Sequence, residues 1–270
     1  MRDVRSISNV ISIGSKFDRS SEELVSFAIS KGWCKDESDF DFSRCYSDLI
    51  FTRFGAGVHR SCRTGDLLHE NMGKVDVPLA FQILRDHGPD ADGDWEPSKG
   101  LLGAEVCMHA SFGPVRGSQT TGSMVSHLTN EGDTHWLTGT SAPCTSVFKP
   151  VWFDSGLPEM GPSPTGTYDA ATMWWQHENL HREILRDYAV RIAVMRGERD
   201  ALEQGFLQKI ETQMPLSVEL KHELTRISFE EAKTAEEGWL AAVQSLPIQN
   251  RRSFWHQLAW KQADQTAKRA

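Results

Sequence analysis

The chain has 270 residues, with 29 Lys and Arg against 37 Asp and Glu, and a formal net charge of -8. No run approaches the roughly 18 consecutive apolar residues of a membrane span, and the opening MRDVRSISNV lacks the apolar stretch of a secretory signal. The acidic balance also argues against a nucleic-acid binder, which presents clustered basic residues. Five cysteines (Cys34, Cys45, Cys62, Cys107 and Cys144) are scattered, odd in number and never in a C-x-x-C pair. Neither a disulfide framework nor a cysteine zinc knuckle is therefore expected, and a reduced, cytoplasmic setting is.

Residues 4–13 (VRSISNVISI) form a β-branched run that reads as a strand. Polar and acidic residues at 18–23 precede Leu24, Val25 and Ala28, which predicts a short helix ended by Gly32. Residues 42–51 and 65–71 are weaker helix candidates. Residues 77–86 are a better one, with Pro78 in the first turn and Gly88 beyond the end. Three short segments, 118–128, 134–139 and 146–153, are rich in Thr, Val, Phe and Trp, with turn residues between them. Consecutive strands of this kind predict antiparallel pairing.

Composition changes near residue 160. The cluster Gly161-Pro162-Ser163-Pro164-Thr165-Gly166 reads as a linker or sharp loop, and the rest looks helical. Apolar and aromatic residues from Trp174 to Phe206 recur at steps of three and four. That predicts one long amphipathic helix over 168–214, interruptible at Gly197. Pro215 stops it, 216–246 repeats the pattern, and 251–268 makes a last helix. The expected organisation is an α+β domain over 1–160 and a helical tail over 161–270.

His177-Glu178-Asn179-Leu180-His181 matches H-E-x-x-H on a predicted helix. Histidines at i and i+4 share a face and can clamp zinc, while the glutamate polarises a bound water. The surroundings disfavour this zinc-dependent peptidase. Asn179 and Arg182 are polar where zinc-protease helices are apolar, and no third histidine follows. Glu198 or Glu203, as a third ligand, would lie on the same helix and be unable to fold back. The simpler reading packs both histidines between Trp174 and Leu185, against a partner helix. Cys107-Met108-His109 offers a thiol–imidazole pair, although neighbours two apart need not meet productively. Arg60 and Arg63, flanking Cys62, could together hold a carboxylate.

Several segments in order resemble one family. Arg5-Ser6-Ile7-Ser8-Asn9 followed by Ser12-Ile13-Gly14 resembles the "R-x-I-S-N-x-x-S-I" stretch of secernin-type proteins. Lys31-Gly32-Trp33, Phe40-Asp41-Phe42 and Arg60-Ser61-Cys62 before Leu67-Leu68 are similar to further family segments. So are Thr121-Gly122-Ser123-Met124-Val125-Ser126, Thr138-Gly139-Thr140 and Phe148-Lys149-Pro150. The resemblance covers nearly the whole chain. It implies an N-terminal-nucleophile hydrolase of αββα sandwich fold and, in the dipeptidase branch, cysteine-dependent hydrolysis of short peptides. In that class the nucleophile is the first residue of the mature chain, and its own α-amine serves as base. The resemblance further implies an asparagine that stabilises the oxyanion, matched by Asn9, and an arginine near the thiol, matched by Arg60.

In the family the cysteine opens the domain, upstream of the segment matched by residues 4–13. Here the first cysteine is Cys34. The expectation is the back part of a secernin-like dipeptidase or amidase, inactive alone, with Asn9 and Arg60 as catalytic residues. No cofactor or metal is implied. Its partners would be a short peptide or amide substrate and either an upstream half or a second copy through the helical tail, with no nucleic acid and no membrane. A non-catalytic scaffold remnant is the remaining alternative.

Overall fold

Capping aspartates place two of the helices in the first part of the chain. The computed structural model describes residues 4–48, 57–89, 95–98, 105–112, 116–130 and 132–269. Helix α1 (Leu24–Ser30) ends as expected where Gly32 takes a positive φ of 70°. Asp41 caps α2 (Phe42–Tyr46), its carboxylate accepting from the Arg44 N–H at 2.9 Å. Residues 49–51 of the expected helix lie outside the described residues. Ala28, Cys34, Phe40 and Cys45 make a small core, with Trp33 and Tyr46 edge to face at 5.1 Å.

Helix α3 (Gly57–Glu70) is twice as long as the expected 65–71. Its early turns hold Gly57 and β-branched or polar residues, whose weak helix propensity hides it in the sequence. The expected strand over 4–13 does not form. Among the described residues no strand pairs with it, and a lone strand leaves its N–H and C=O groups without a ladder. The segment is not a half-buried strand either, since Ile7 is 87% exposed.

These elements belong to one compact unit, Met1–Lys74; a second spans Val75–Ala270. The second unit begins with α4 (Val77–Leu84). Asp76 caps it by accepting from the Leu79 N–H at 2.8 Å, Pro78 sits in the first turn, and Gly88 follows with φ 91°. Strands β1 (Met124–Thr129), β2 (Gly132–Leu137) and β3 (Lys149–Val151) form an antiparallel sheet in the order β1-β2-β3. Met124 stands opposite Leu137, and His135 opposite Val151. The chain is thus α+β, with a small sheet among many helices.

The long helix expected over 168–214 is two: α5 (Met173–Ile184) and α6 (Tyr188–Glu211). The break lies at 185–187, not at Gly197. Asp187 accepts the backbone N–H groups of Gln249 and Asn250 at 2.7 and 3.0 Å, and Arg191 donates to the Leu246 carbonyl at 3.0 Å. These long-range bonds reward a bend that periodicity does not show. Gly197 is an exposed residue inside α6, where glycine costs about 1 kcal/mol relative to alanine without stopping the helix. Helices α7 (Val218–Ser245) and α8 (Phe254–Thr266) follow, and α7 packs on α5, α6 and β3.

The helices share one core with the sheet: Phe81, Trp136 and Phe148 join Leu180, Phe206 and Trp239. The 161–166 cluster is consequently a connection within the second unit, and the division between units falls at 74/75. Among the described residues, no helix is long and apolar enough to cross a membrane.

Candidate functional site

In the first unit, the residues at 6–9 lie along one face of α3. The Ser6 and Thr64 hydroxyls bond each other, and Arg60 Nη2 donates to Asn9 Oδ1. Thr64 also donates to the Arg60 carbonyl at 2.8 Å, in the helix's own i to i−4 register. A Cβ at Gly57 would stand 2.7 Å from Asn9 Oδ1 and 3.1 Å from the Val10 nitrogen, so a larger residue there would displace the Asn9 amide. Ser8 Oγ donates to the same oxygen at 3.1 Å. Two donors on Oδ1 fix the amide's orientation and leave the Nδ2 hydrogens as its remaining hydrogen-bonding capacity. Partial burial pulls the Arg60 guanidinium below its ordinary value, yet it stays a cation at neutral pH. The two residues singled out by resemblance, 51 positions apart, are therefore in contact. Cys62, on the same helix, is exposed.

In the second unit, the H-E-x-x-H residues are fully buried, and hydrogen bonds consume their chemistry. His177 Nδ1 lies 3.0 Å from Glu236 Oε1, and its Nε2 lies 2.9 Å from the Ser141 carbonyl. The carboxylate and the carbonyl only accept, and the Ser146 and Thr145 hydroxyls at 3.2 and 3.4 Å from Nε2 can accept too, so the geometry favours protons on both ring nitrogens and leaves His177 no lone pair for a metal. Burial opposes that charge, but the Glu236 carboxylate outweighs it and raises the His177 pKa. Glu178 accepts from Arg182 Nε at 2.8 Å, from the Ser141 hydroxyl and from Gln119. His181 Nε2 donates to Gln119 Oε1 at 3.3 Å, which leaves Nδ1 to accept from Thr145 at 3.0 Å. The two rings are 6.4 Å apart.

The bend before α6 removes the geometric objection to Glu198 and Glu203 as further ligands, but both are engaged elsewhere. Glu198 accepts from Trp239 Nε1 at 2.6 Å, and Glu203 accepts from Arg85 and from the Phe148 N–H at 2.7 Å. His177 packs against α7 through Glu236, as the simpler reading expects, whereas His181 faces Gln119, Thr145 and the His109 ring instead. The geometry gives a zinc peptidase at this motif no ligand set.

A second cluster in the same unit escaped the sequence. Cys107 Sγ lies 3.5 Å from His109 Nε2, so the thiol and imidazole two residues apart do meet. They are joined by His87, whose Nε2 is 3.0 Å from His109 Nε2, and by Cys144, whose Sγ is 3.3 Å from it. All four residues are buried. Backbone bonds lay their segments side by side. The Cys107 N–H donates to Asp86 O at 3.0 Å, Thr120 to Met108 O at 3.0 Å, and Ala142 to Thr120 O at 2.7 Å. Arg85 clamps the turn carrying Cys144, donating to Pro143 O at 2.8 Å and Ser146 O at 3.0 Å, and its guanidinium pairs with Glu203 on α6.

The two thiols differ. Burial drives Cys107 well above the ordinary thiol range. Burial also opposes ionisation of Cys144, but the Cys107 thiol and the His109 and His87 rings bring it well below that range. No linear motif signals this cluster, because its members stand at 87, 107, 109 and 144 on three loop segments. The one local signal is Cys107-Met108-His109. No family model matches the chain.

Proposed function

We propose that this chain is part of a cysteine-dependent amidohydrolase of the N-terminal-nucleophile class, similar to the secernin-type dipeptidases, which cleaves the amide bond of short peptides. The contact between Arg60 and Asn9 carries this reading, since it joins the two residues that the resemblance makes catalytic. In this reading the Asn9 Nδ2 hydrogens donate to the oxyanion that grows on the scissile carbonyl. Arg60 holds the amide in that orientation and adds a positive charge beside the attacking thiol. In this reading the thiol stands at a mature chain terminus with its own α-amine as base. The three-stranded sheet belongs, on this reading, to a larger αββα sandwich.

The test is hydrolysis of a dipeptide panel by the 270-residue chain, alone and joined to a family-type segment that opens with cysteine. The expected result is no turnover alone and chelator-resistant, alkylation-sensitive turnover when joined. Asn9→Ala should then lower kcat by about 100-fold or more, the usual loss for one oxyanion donor. Turnover by the chain alone, or a joined enzyme indifferent to Asn9→Ala, would reject the assignment.

A further inference from the structure

We propose that His87, Cys107, His109 and Cys144 form a four-coordinate zinc site, which ties the turn after α4 and the 105–112 segment to the turn before β3. The distances fit a metal at the centre. With Zn–N near 2.05 Å and Zn–S near 2.3 Å, a regular tetrahedron has edges of about 3.3 Å between nitrogens and about 3.6 Å between nitrogen and sulfur. The corresponding separations are 3.0 Å for His87 Nε2 to His109 Nε2, and 3.5 and 3.3 Å from His109 Nε2 to the two sulfurs. All four candidate ligand atoms lie within 4.8 Å of one another.

Hydrogen bonding alone does not account for this convergence. A ring nitrogen has either one hydrogen or one lone pair, so His109 Nε2 can satisfy only one of the three groups crowded around it. Its other nitrogen, Nδ1, is buried and has no partner among the described residues, so Nε2 carries the ring's polar contacts. A cation among the four would accept both imidazole lone pairs and both thiolates at once.

The donor set selects the metal. Two thiolates and two imidazoles without a carboxylate suit zinc and exclude calcium or magnesium, which take oxygen ligands. Four protein ligands and near-complete burial leave no open position for a substrate, so the role is to hold the structure together. Packing holds the ligands in place: Trp95 stacks on His87 at 3.9 Å, His181 stacks on His109 at 5.4 Å, and Arg199 Nη1 donates to the Cys144 carbonyl. The competing chemistry is a disulfide between Cys107 and Cys144.

The experiment uses the full chain, purified under reducing conditions. Metal content is measured by mass spectrometry, and cobalt(II) is titrated into chelator-stripped protein. One zinc per chain is expected, with cobalt giving a thiolate charge-transfer band and the strong visible bands of a tetrahedral ion. Cys107→Ser and Cys144→Ser should each weaken zinc binding by at least about 100-fold, the upper range for losing mere outer-sphere support. His177→Asn, in the H-E-x-x-H motif, should leave the stoichiometry at one. Removing zinc should lower Tm. The proposal falls if the reduced wild-type chain takes up neither zinc nor cobalt in stoichiometric amount, or if occupancy ignores both cysteine substitutions. A loss of two hydrogens in the native mass, showing a Cys107–Cys144 disulfide, would also overturn it. Should the serine variants not fold, the cobalt spectrum of the wild type decides alone.

Discussion

Two histidine clusters share the interior of the second unit, with the His109 and His181 rings stacked 5.4 Å apart, and they differ in where their lone pairs go. In the H-E-x-x-H cluster every nitrogen and carboxylate oxygen faces a complementary protein group, and His177 has no lone pair to offer. In the His87–Cys107–His109–Cys144 cluster, groups of the same kind face one another. The first has the spacing of a metal motif and the bonding of a structural network. The second has no recognisable spacing and the geometry of a metal site. Spacing on a helix says which residues share a face; the groups opposite decide whether that face is a ligand set.

The largest expected effect comes from breaking the first cluster. Glu236→Leu would leave the buried His177 cation without its counter-charge, a loss of about 3–5 kcal/mol in urea unfolding. A loss below about 1 kcal/mol, as for an exposed pair, would mean that His177 is neutral and would erase the contrast between the clusters.

Lys149 sharpens the same point through pH. Its ammonium is buried beside this network, donating to the Thr138 and Val147 carbonyls at 2.8 Å. Burial lowers its pKa from 10.5 to about 8 against the attraction of Glu236 and Glu203. The unfolded chain keeps this proton to about pH 10.5, whereas the folded chain releases it near 8. The folded state is thus penalised below pH 8, and the penalty fades as pH rises from 8 to 10.5. Measured against Lys149→Met, the wild type should gain about 3 kcal/mol of relative stability over that window. A difference independent of pH would show that the ammonium is not desolvated.

The smallest effect tests the scaffold that delivers His87. Asp76→Ala removes the cap of α4 and should cost about 1 kcal/mol while leaving the zinc stoichiometry unchanged. A fall in occupancy would make the second cluster a marginal product of its scaffold instead of a braced site.

Much of the fold was legible where the signals are local. Asp76 with Pro78 and Gly88 bounds α4, Gly32 ends α1, and the β-branched segments after residue 118 pair antiparallel. Two of the errors share an origin in long-range contacts. The 4–13 run has strand composition but no partner to complete a ladder, and the 185–187 bend is held by Asp187 and Arg191 through groups some 50 or more residues away. Asn9 and Arg60 were reached by resemblance, not by pattern, and their contact depends on the space left at Gly57.

The sequence by itself determined α1, α4, the antiparallel strands after residue 118 and the helical character of the C-terminal part, because capping, backbone freedom and periodicity act within a few residues. The tertiary structure alone decided which polar groups meet. It spent His177, Glu178 and His181 on buried hydrogen bonds, and it brought two cysteines and two histidines from three loops within bonding distance of one point. That outcome depends on what lies across the core, and no local spacing encodes it.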